Sequence, residues 1–417
     1  MTIPPVTCIN CGRIYPASGI PYCCPICGGL YDLAEPLKLN PARIDSSQPG
    51  IWRYRHTFGL GIIEKSISLG EGNTPLIWTE VFNRQVAFKC EYQNPTGSFK
   101  DRGSATLVSS LLALGALEAV EDSSGNAGAS FAAYAARAGI RCRIFIPEAA
   151  SGPKRQQIAS YGAEIIDIPG PRMKAAEAVR QAADTGITYA SHAYMPFNIP
   201  GYATLAYELY DILGCGPAAI IMPVGQGGLL LGVGRGLQAL VKCGLLRVMP
   251  KIIGVQAKAC APLWELDRLG PLSLVSNEEE ETIAEGVRVR CPLRGDTVIQ
   301  MVKKTGGWFV VVEETRILRG RDQLAQRGFY VEPTSALVWQ ALEDTLPVLP
   351  DPVVVVLTGS GFKFVDHPVS SQASLSHNHP GLFCNMAGQP TVQCPPRARF
   401  AIAKTHPAGL LVRVPAG

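Results

Sequence analysis

Between about residues 86 and 365, short apolar runs alternate with segments of helix length, and few folds accommodate that order. Strand-like runs fall at Val86–Tyr92, Arg141–Ile146, Ala163–Ile168, Ala218–Met222, Lys251–Gln256, Trp308–Val312 and Pro352–Leu357. Between them, Gly103–Ala116, Ala127–Ala138 and Gly201–Leu213 repeat apolar positions at the three-to-four spacing of a helix buried on one side. Strand, helix, strand in succession predicts an α/β fold with a largely parallel sheet. Such open sheets bind ligands beyond the C-terminal ends of their strands.

Composition narrows the partners. The chain has 47% hydrophobic and 17% charged residues, ordinary for a globular enzyme, and its net charge of +4 includes no dense Lys/Arg run. Nucleic acid and membrane surfaces are therefore not expected partners. The opening MTIPPVTCINCG has no basic segment followed by an apolar one, so a cytoplasmic location is expected. The uncharged stretch from Gly216 to Gly234 contains six glycines and two prolines and reads as strand, loop and helix rather than a membrane span.

Thirteen cysteines without a secretory signal point to metal binding and free thiols. Residues 1–35 read as a separate zinc ribbon: Cys8 and Cys11 in CINCG, Cys24 and Cys27 in CPICGG, each pair closed by glycine, suit a structural Zn2+. Cys23 is an alternative to Cys24. Arg13 is the basic residue of this segment, which favours a structural role over nucleic-acid binding. Residues 36–365 form the expected catalytic domain. Residues 366–417, rich in Ser, His, Pro and Gln, read as a disordered tail whose His377, His379, Cys384 and Cys394 are too irregularly spaced to argue for a metal.

Three loops follow predicted strands. In PVGQGGLLLG (223–232), backbone amides unhindered by side chains lead into a helix and suit a phosphate. In SSGNAGAS (123–130), Asn126 is either a helix cap or a ligand. In LTGSGFK (357–363), the hydroxyl of Thr358 follows an apolar run. NPTGSFKDRGS (94–104) adds Lys100 at a helix start, where the dipole disfavours a cation and a neighbouring Phe99 eases deprotonation. An amine able to form a Schiff base, a phosphate cradle, an Asn and a hydroxyl together suggest pyridoxal 5′-phosphate.

The motifs GEGNTPL (70–76), NPTGSFKDRG (94–103), SSGNAGAS, PVGQGG (223–228), TIAEGV (282–287), VEPTSA (331–336) and LTGSGFK, in this order, resemble the threonine synthase family of fold-type II pyridoxal-phosphate enzymes. The resemblance implies two open-sheet α/β subdomains, the smaller at about 104–200, and a homodimer. It implies that Lys100 carries the cofactor and moves protons, and that Asn126 bonds the ring oxygen. Gly225, Gln226, Gly227, Gly228 and Leu229 would hold the phosphate through backbone amides, and Thr358 would meet the pyridine nitrogen. Ser123, Ser124 and Gly125 would receive the substrate carboxylate, with Thr74 nearby. The implied reaction, that of a lyase, converts O-phospho-L-homoserine and water to L-threonine and phosphate. The chain departs from the family where side chains bind the substrate phosphate, with Ala127, Ala193, Asn198, Gln226 and Leu229. Lys154, Arg155, Lys174 and His192 are candidates for a rearranged anion site; Lys154 and Arg155 are expected to start a helix facing the cleft. The substrate is thus a small amino acid, phosphorylated or not. A serine or threonine dehydratase and a β-replacement enzyme of the cysteine or cysteate synthase type stay open, as does a non-catalytic binding protein, against which Lys100 and Thr358 argue.

Overall fold

The computed structural model describes residues 6–60, 65–150, 152–270 and 281–364; the expected tail lies outside them. In chain order the elements are β1 (Val6–Cys8), β2 (Tyr31–Leu33), β3 (Leu76–Val81), β4 (Arg84–Lys89), α1 (Lys100–Ala113), β5 (Glu118–Glu121), α2 (Asn126–Ala138), β6 (Arg141–Pro147), α3 (Pro153–Ser160) and β7 (Glu164–Ile168). There follow α4 (Arg172–Asp184), β8 (Thr188–Tyr189), α5 (Ile199–Leu213), β9 (Ala219–Pro223), α6 (Gly228–Lys242), β10 (Lys251–Ala257) and α7 (Pro262–Leu269). The last are α8 (Gly295–Lys304), β11 (Trp308–Val312), α9 (Glu314–Ala325), α10 (Pro333–Thr345) and β12 (Val353–Val356).

Two sheets result. One has six strands in the order β11-β10-β9-β12-β4-β3, parallel except for the antiparallel edge pair β3–β4; the other has four parallel strands in the order β7-β6-β5-β8. Central strands covered on both faces favour apolar side chains, and β12 is four buried valines, while β4 and β10 each bury one polar side chain, Lys89 and Gln256. Edge strand β3 is largely open to solvent, with Ile77 and Trp78 exposed and only Val81 buried. The uncharged stretch from 216 to 234 divides, as read, into β9, a loop and the start of α6, and among the described residues no helix is long and apolar enough to cross a membrane.

β1 and β2 pair antiparallel at the N-terminal end. This small ribbon shares its apolar core with the α/β fold: Val6, Tyr15 and Tyr31 are buried in the same cluster as α5 and α6, and Tyr15 packs edge-to-face on Phe197 with ring centres 5.5 Å apart. The loops after β4, β5, β9 and β12, all at C-terminal strand ends, carry the motifs.

Candidate active site

The charges flanking Lys100 explain its freedom. Asp101 is buried and accepts hydrogen bonds from the Thr96 amide (2.6 Å), the Thr96 hydroxyl (2.5 Å) and the Ser130 hydroxyl (2.6 Å). Arg102 is also fully buried. It spans Glu91 (2.7 Å from both Nε and Nη2) and Glu208 (2.7 Å from both Nη1 and Nη2), and Lys89 Nζ completes the cluster 2.8 Å from Glu208 Oε2. Two cations facing two carboxylates satisfy one another away from water. The start of α1 is therefore pinned on both sides of Lys100. Lys100 Nζ itself makes no hydrogen bond or ion pair among the described residues and lies 4.9 Å from the centre of the Phe99 ring. Burial pushes its ammonium down to about 8; Glu121 and Glu332 oppose the shift and Arg172 adds to it.

Backbone bonds lock the motif loops together. Phe99 N donates to Thr358 O (3.0 Å), Ser360 N to Gly97 O (3.0 Å) and Glu332 N to Gly359 O (3.1 Å). Thr358 N donates to Ser335 Oγ (2.8 Å), and Gly286 N to Thr334 Oγ1 (2.9 Å). Gly225 abuts the same assembly: a Cβ there would stand 2.9 Å from Gly286 O. Gly227 adopts φ +83°, and its missing Cβ leaves room for Val298, which would be met at 2.3 Å. The amides of Gly225, Gln226, Gly227, Gly228 and Leu229 have no partner among the described residues and lie at the N-terminus of α6. Free amides at a helix start form an anion cradle.

Pyridoxal phosphate fits these groups. Thr358 Oγ1 and Asn126 Oδ1 are buried polar atoms without partners, which is costly unless a bound group completes them. A hydroxyl can donate to a pyridine nitrogen, the free amides suit a phosphate, and Lys100 offers an amine. Asn126 is the first residue of α2 and caps nothing; its Nδ2 donates to Glu332 Oε1 at 2.7 Å. The alternative of a helix cap is thereby overturned. Gln226 turns its side chain away to accept from Leu293 N (3.2 Å), leaving its backbone to the cradle.

The expected substrate residues divide. Ser123, Ser124 and Gly125 form the loop between β5 and α2, where Ser123 Oγ accepts from Gly125 N (3.2 Å). Lys154, in the first turn of α3, pairs with Glu332 Oε2 (3.2 Å), and the Glu332 charge helps hold its ammonium above the usual lysine range against the effect of burial. His192 Nδ1 lies 2.7 Å from Glu121 Oε1. Two expectations are corrected. Arg155 does not face the cleft: one residue further around α3, it forms a two-pronged bond to Asp167 at the surface (2.5 and 2.8 Å). Thr74 is buried and spends its hydroxyl on Glu91 Oε1 (2.6 Å), so it supports the Arg102 cluster rather than presenting a free group to substrate. Sequence reasoning missed Glu121, Glu332 and Lys363; the last is buried, its Nζ donating to Thr96 O at 2.8 Å. Glu332 lies within VEPTSA, immediately before α10, and Glu121 ends β5 just before SSGN; neither position separates its carboxylate from an ordinary loop-side acid.

At the N-terminal ribbon, the Sγ atoms of Cys8, Cys11, Cys24 and Cys27 all lie within 4.8 Å of one another, with Cys8–Cys27 at 3.5 Å and Cys11–Cys24 at 3.8 Å. Four thiolates about 2.3 Å from one zinc stand about 3.8 Å apart in a tetrahedron, so the cluster fits that metal. Cys23 is not in the cluster.

A pocket with a free lysine, a helix-start anion cradle and an orphaned hydroxyl on this two-sheet fold defines a pyridoxal-phosphate enzyme. The chain belongs to the pyridoxal-phosphate dependent enzyme family, whose sequence pattern matches residues 67–359. It is 32% identical to the threonine synthase of Methanocaldococcus jannaschii over 377 residues, 86% of this chain and 93% of that one. To the threonine synthase of Mycobacterium bovis it is 34% identical over 354 residues, 82% and 96% of the two chains. The solved threonine deaminase of T.th. superposes with a TM-score of 0.59 at 26% identity, covering 70% of this chain and 94% of that one. An L-serine ammonia-lyase from Rhizomucor miehei, at 24% identity and TM-score 0.61 over 71% and 95% of the chains, shares the fold. This protein is a threonine-synthase-like, pyridoxal-phosphate-dependent lyase.

Proposed function

We propose that the enzyme converts O-phospho-L-homoserine and water to L-threonine and phosphate, with residues 36–365 as the catalytic unit of a homodimer. The likeness to threonine synthases over more than nine-tenths of their length carries the reading. The cofactor supplies an electron sink that permits loss of a proton beside the amino group and departure of a group further along the chain. Lys100 would hold the cofactor through its amine and move protons at the substrate's reacting carbons. Asn126 and Thr358 orient the ring, and the amides of residues 225–229 hold its phosphate. A hydroxyl at the ring nitrogen leaves that nitrogen unprotonated and moderates the sink. Ser123, Ser124 and Gly125 receive the substrate carboxylate, and Lys154 meets the leaving phosphate.

One observation favours a second reading, dehydration of serine or threonine. Arg155 faces outward and Glu332 already engages Lys154, so the pocket offers less positive charge to a second phosphate than its sequence promised. Holoenzyme mixed separately with O-phosphohomoserine, threonine, serine and phosphoserine decides between them. Threonine and free phosphate formed from the first alone support the synthase; an oxo acid and ammonia, with phosphohomoserine inert, replace it by a dehydratase. We further propose a structural zinc on Cys8, Cys11, Cys24 and Cys27, expected at one equivalent per chain after gel filtration; zinc-free protein purified without chelator refutes it.

A further inference from the structure

In the β5–α2 corner of the pocket, His192 is fixed from several directions. Its Nδ1 meets Glu121 Oε1 at 2.7 Å, and its carbonyl accepts from Asn198 Nδ2 at 2.6 Å. Glu121 is itself buried at the end of β5 and accepts from the Ser123 amide, so His192 is tied to the loop that the proposed function assigns to the substrate carboxylate. The second ring nitrogen, Nε2, has no partner among the described residues, and the side chain keeps 19% of its surface exposed.

Resting on the synthase reading, we propose that Glu121 and His192 are a proton-transferring dyad in which Nε2 takes the proton of the water that becomes the product hydroxyl. The O–H bond of water breaks, its proton passes to Nε2, and its oxygen bonds to the β-carbon of the unsaturated substrate. The displaced carbon–carbon pair moves to the α-carbon, which takes its proton from the ammonium of Lys100. The imidazolium, stabilised by Glu121, then releases its proton to solvent. A carboxylate that fixes the tautomer and supports the cation is what a histidine base needs.

The electrostatics agree. Burial, followed by the Lys100 charge, pushes His192 below its ordinary value, against Glu121 and Asp122; the ring is therefore neutral at pH 7. Burial alone would raise the Glu121 carboxyl, but the His192 hydrogen bond and charge and the Ser123 amide hold it low, so it accepts and Nδ1 donates. The charged and titratable groups facing this pair are Lys100 from α1, Asp122 after β5, Arg172 of α4, 3.6 Å from Asp122, and Tyr189 of β8, 2.8 Å from Asp122.

The test uses holoenzyme of the wild type, His192→Gln and Glu121→Gln, with an unchanged visible cofactor band as the check that each pocket is intact. For threonine formation, His192→Gln is expected to lower kcat about 100-fold or more with KM within about threefold. Glu121→Gln removes the charge that favours the imidazolium, so kcat falls and the acid limb of its pH profile moves to lower pH. The His192 imidazole resonance, assigned by its loss in His192→Gln, moves with it. A kcat within twofold of wild type in His192→Gln, or a His192 titration unmoved by Glu121→Gln, overturns the dyad. Wild-type enzyme that leaves O-phosphohomoserine intact refutes the reaction and the water step together, while an unmoved resonance refutes the pairing alone.

Discussion

Asp32 of β2 joins the cysteine ribbon to the helix that begins at the phosphate cradle. Its carboxylate accepts two bonds from Arg235 of α6 (2.6 Å each) and one from Arg294 at the start of α8 (3.2 Å). Arg294 keeps other acceptors, Tyr31 O at 2.7 Å and Tyr194 O at 3.0 Å, but Arg235 has no second acceptor among the described residues. Asp32→Asn thus strands mainly one partly buried guanidinium. Removing one partner of a buried pair costs about 3–5 kcal/mol, and the lower end suits a site where the second arginine remains satisfied. If a third to a half of about 3 kcal/mol is felt at the N-terminus of α6, cofactor affinity falls about tenfold. Urea unfolding and titration of the apoprotein with pyridoxal phosphate measure the two effects. Burial alone would raise the Asp32 carboxyl, but the Arg235 hydrogen bond and the charges of Arg294 and Arg235 hold it below the ordinary carboxylate range. Its contribution is therefore present above about pH 4 and lost as pH falls through the lowered folded value. Unchanged unfolding and a cofactor affinity within twofold of wild type would refute the clamp.

Lys100→Met should abolish the covalent visible band of the holoenzyme. Its apoprotein should melt above wild-type apoprotein at pH 7, because Lys100, held at about 8, carries a buried charge whose cost is relieved as pH rises from about 8 to the ordinary lysine value of about 10.4; the gap should close by pH 10, and coincident melting curves at pH 7 would overturn this. Arg155→Ala should leave KM for O-phosphohomoserine unchanged, since that side chain is paired at the surface, whereas Lys154→Met should raise it tenfold or more. Equal effects in steady-state kinetics would show that neighbouring turns of α3 had been assigned wrongly.

The contrast between Lys154 and Arg155 marks the limit of sequence reading. Adjacent helical residues point about 100° apart, and α3 has only Ile158 fully buried, so no apolar stripe fixes which side faces the pocket. Where burial is near complete, pattern suffices: β12, β9 and β10 match the predicted runs within a residue or so, and the apolar run of half-buried β11 gives its exact bounds. β3 escaped because Thr79 and Glu80 break its short apolar run and most of it is exposed, and β8 because it has two residues. Lys100, Asn126 and the glycine loop were legible for a different reason, since few other uses explain those residue types after strand ends. Glu121 and Glu332 gave no such sign, because a carboxylate beside a loop usually faces water.

Those two carboxylates change the chemistry of the pocket. Glu332 lies between Asn126 and Lys154, so it ties a ring-orienting amide to the cation proposed for the leaving group. Burial and the Lys100 charge, acting against Glu121, keep His192 neutral where a phosphate contact would need to be charged, and Glu121 fixes the orientation of its ring. The positive charge that the sequence distributed over Lys154, Arg155, Lys174 and His192 is thereby reduced to Lys154 among the three whose partners are described in the pocket or at α3. Lys174 pairs with Glu177 on the exposed face of α4. A single shared cation can steady a departing phosphate, but it binds a resting one weakly. On the proposed reading, affinity would then come from the substrate carboxylate at the Ser123–Gly125 turn, and the titratable groups would be left for proton movement.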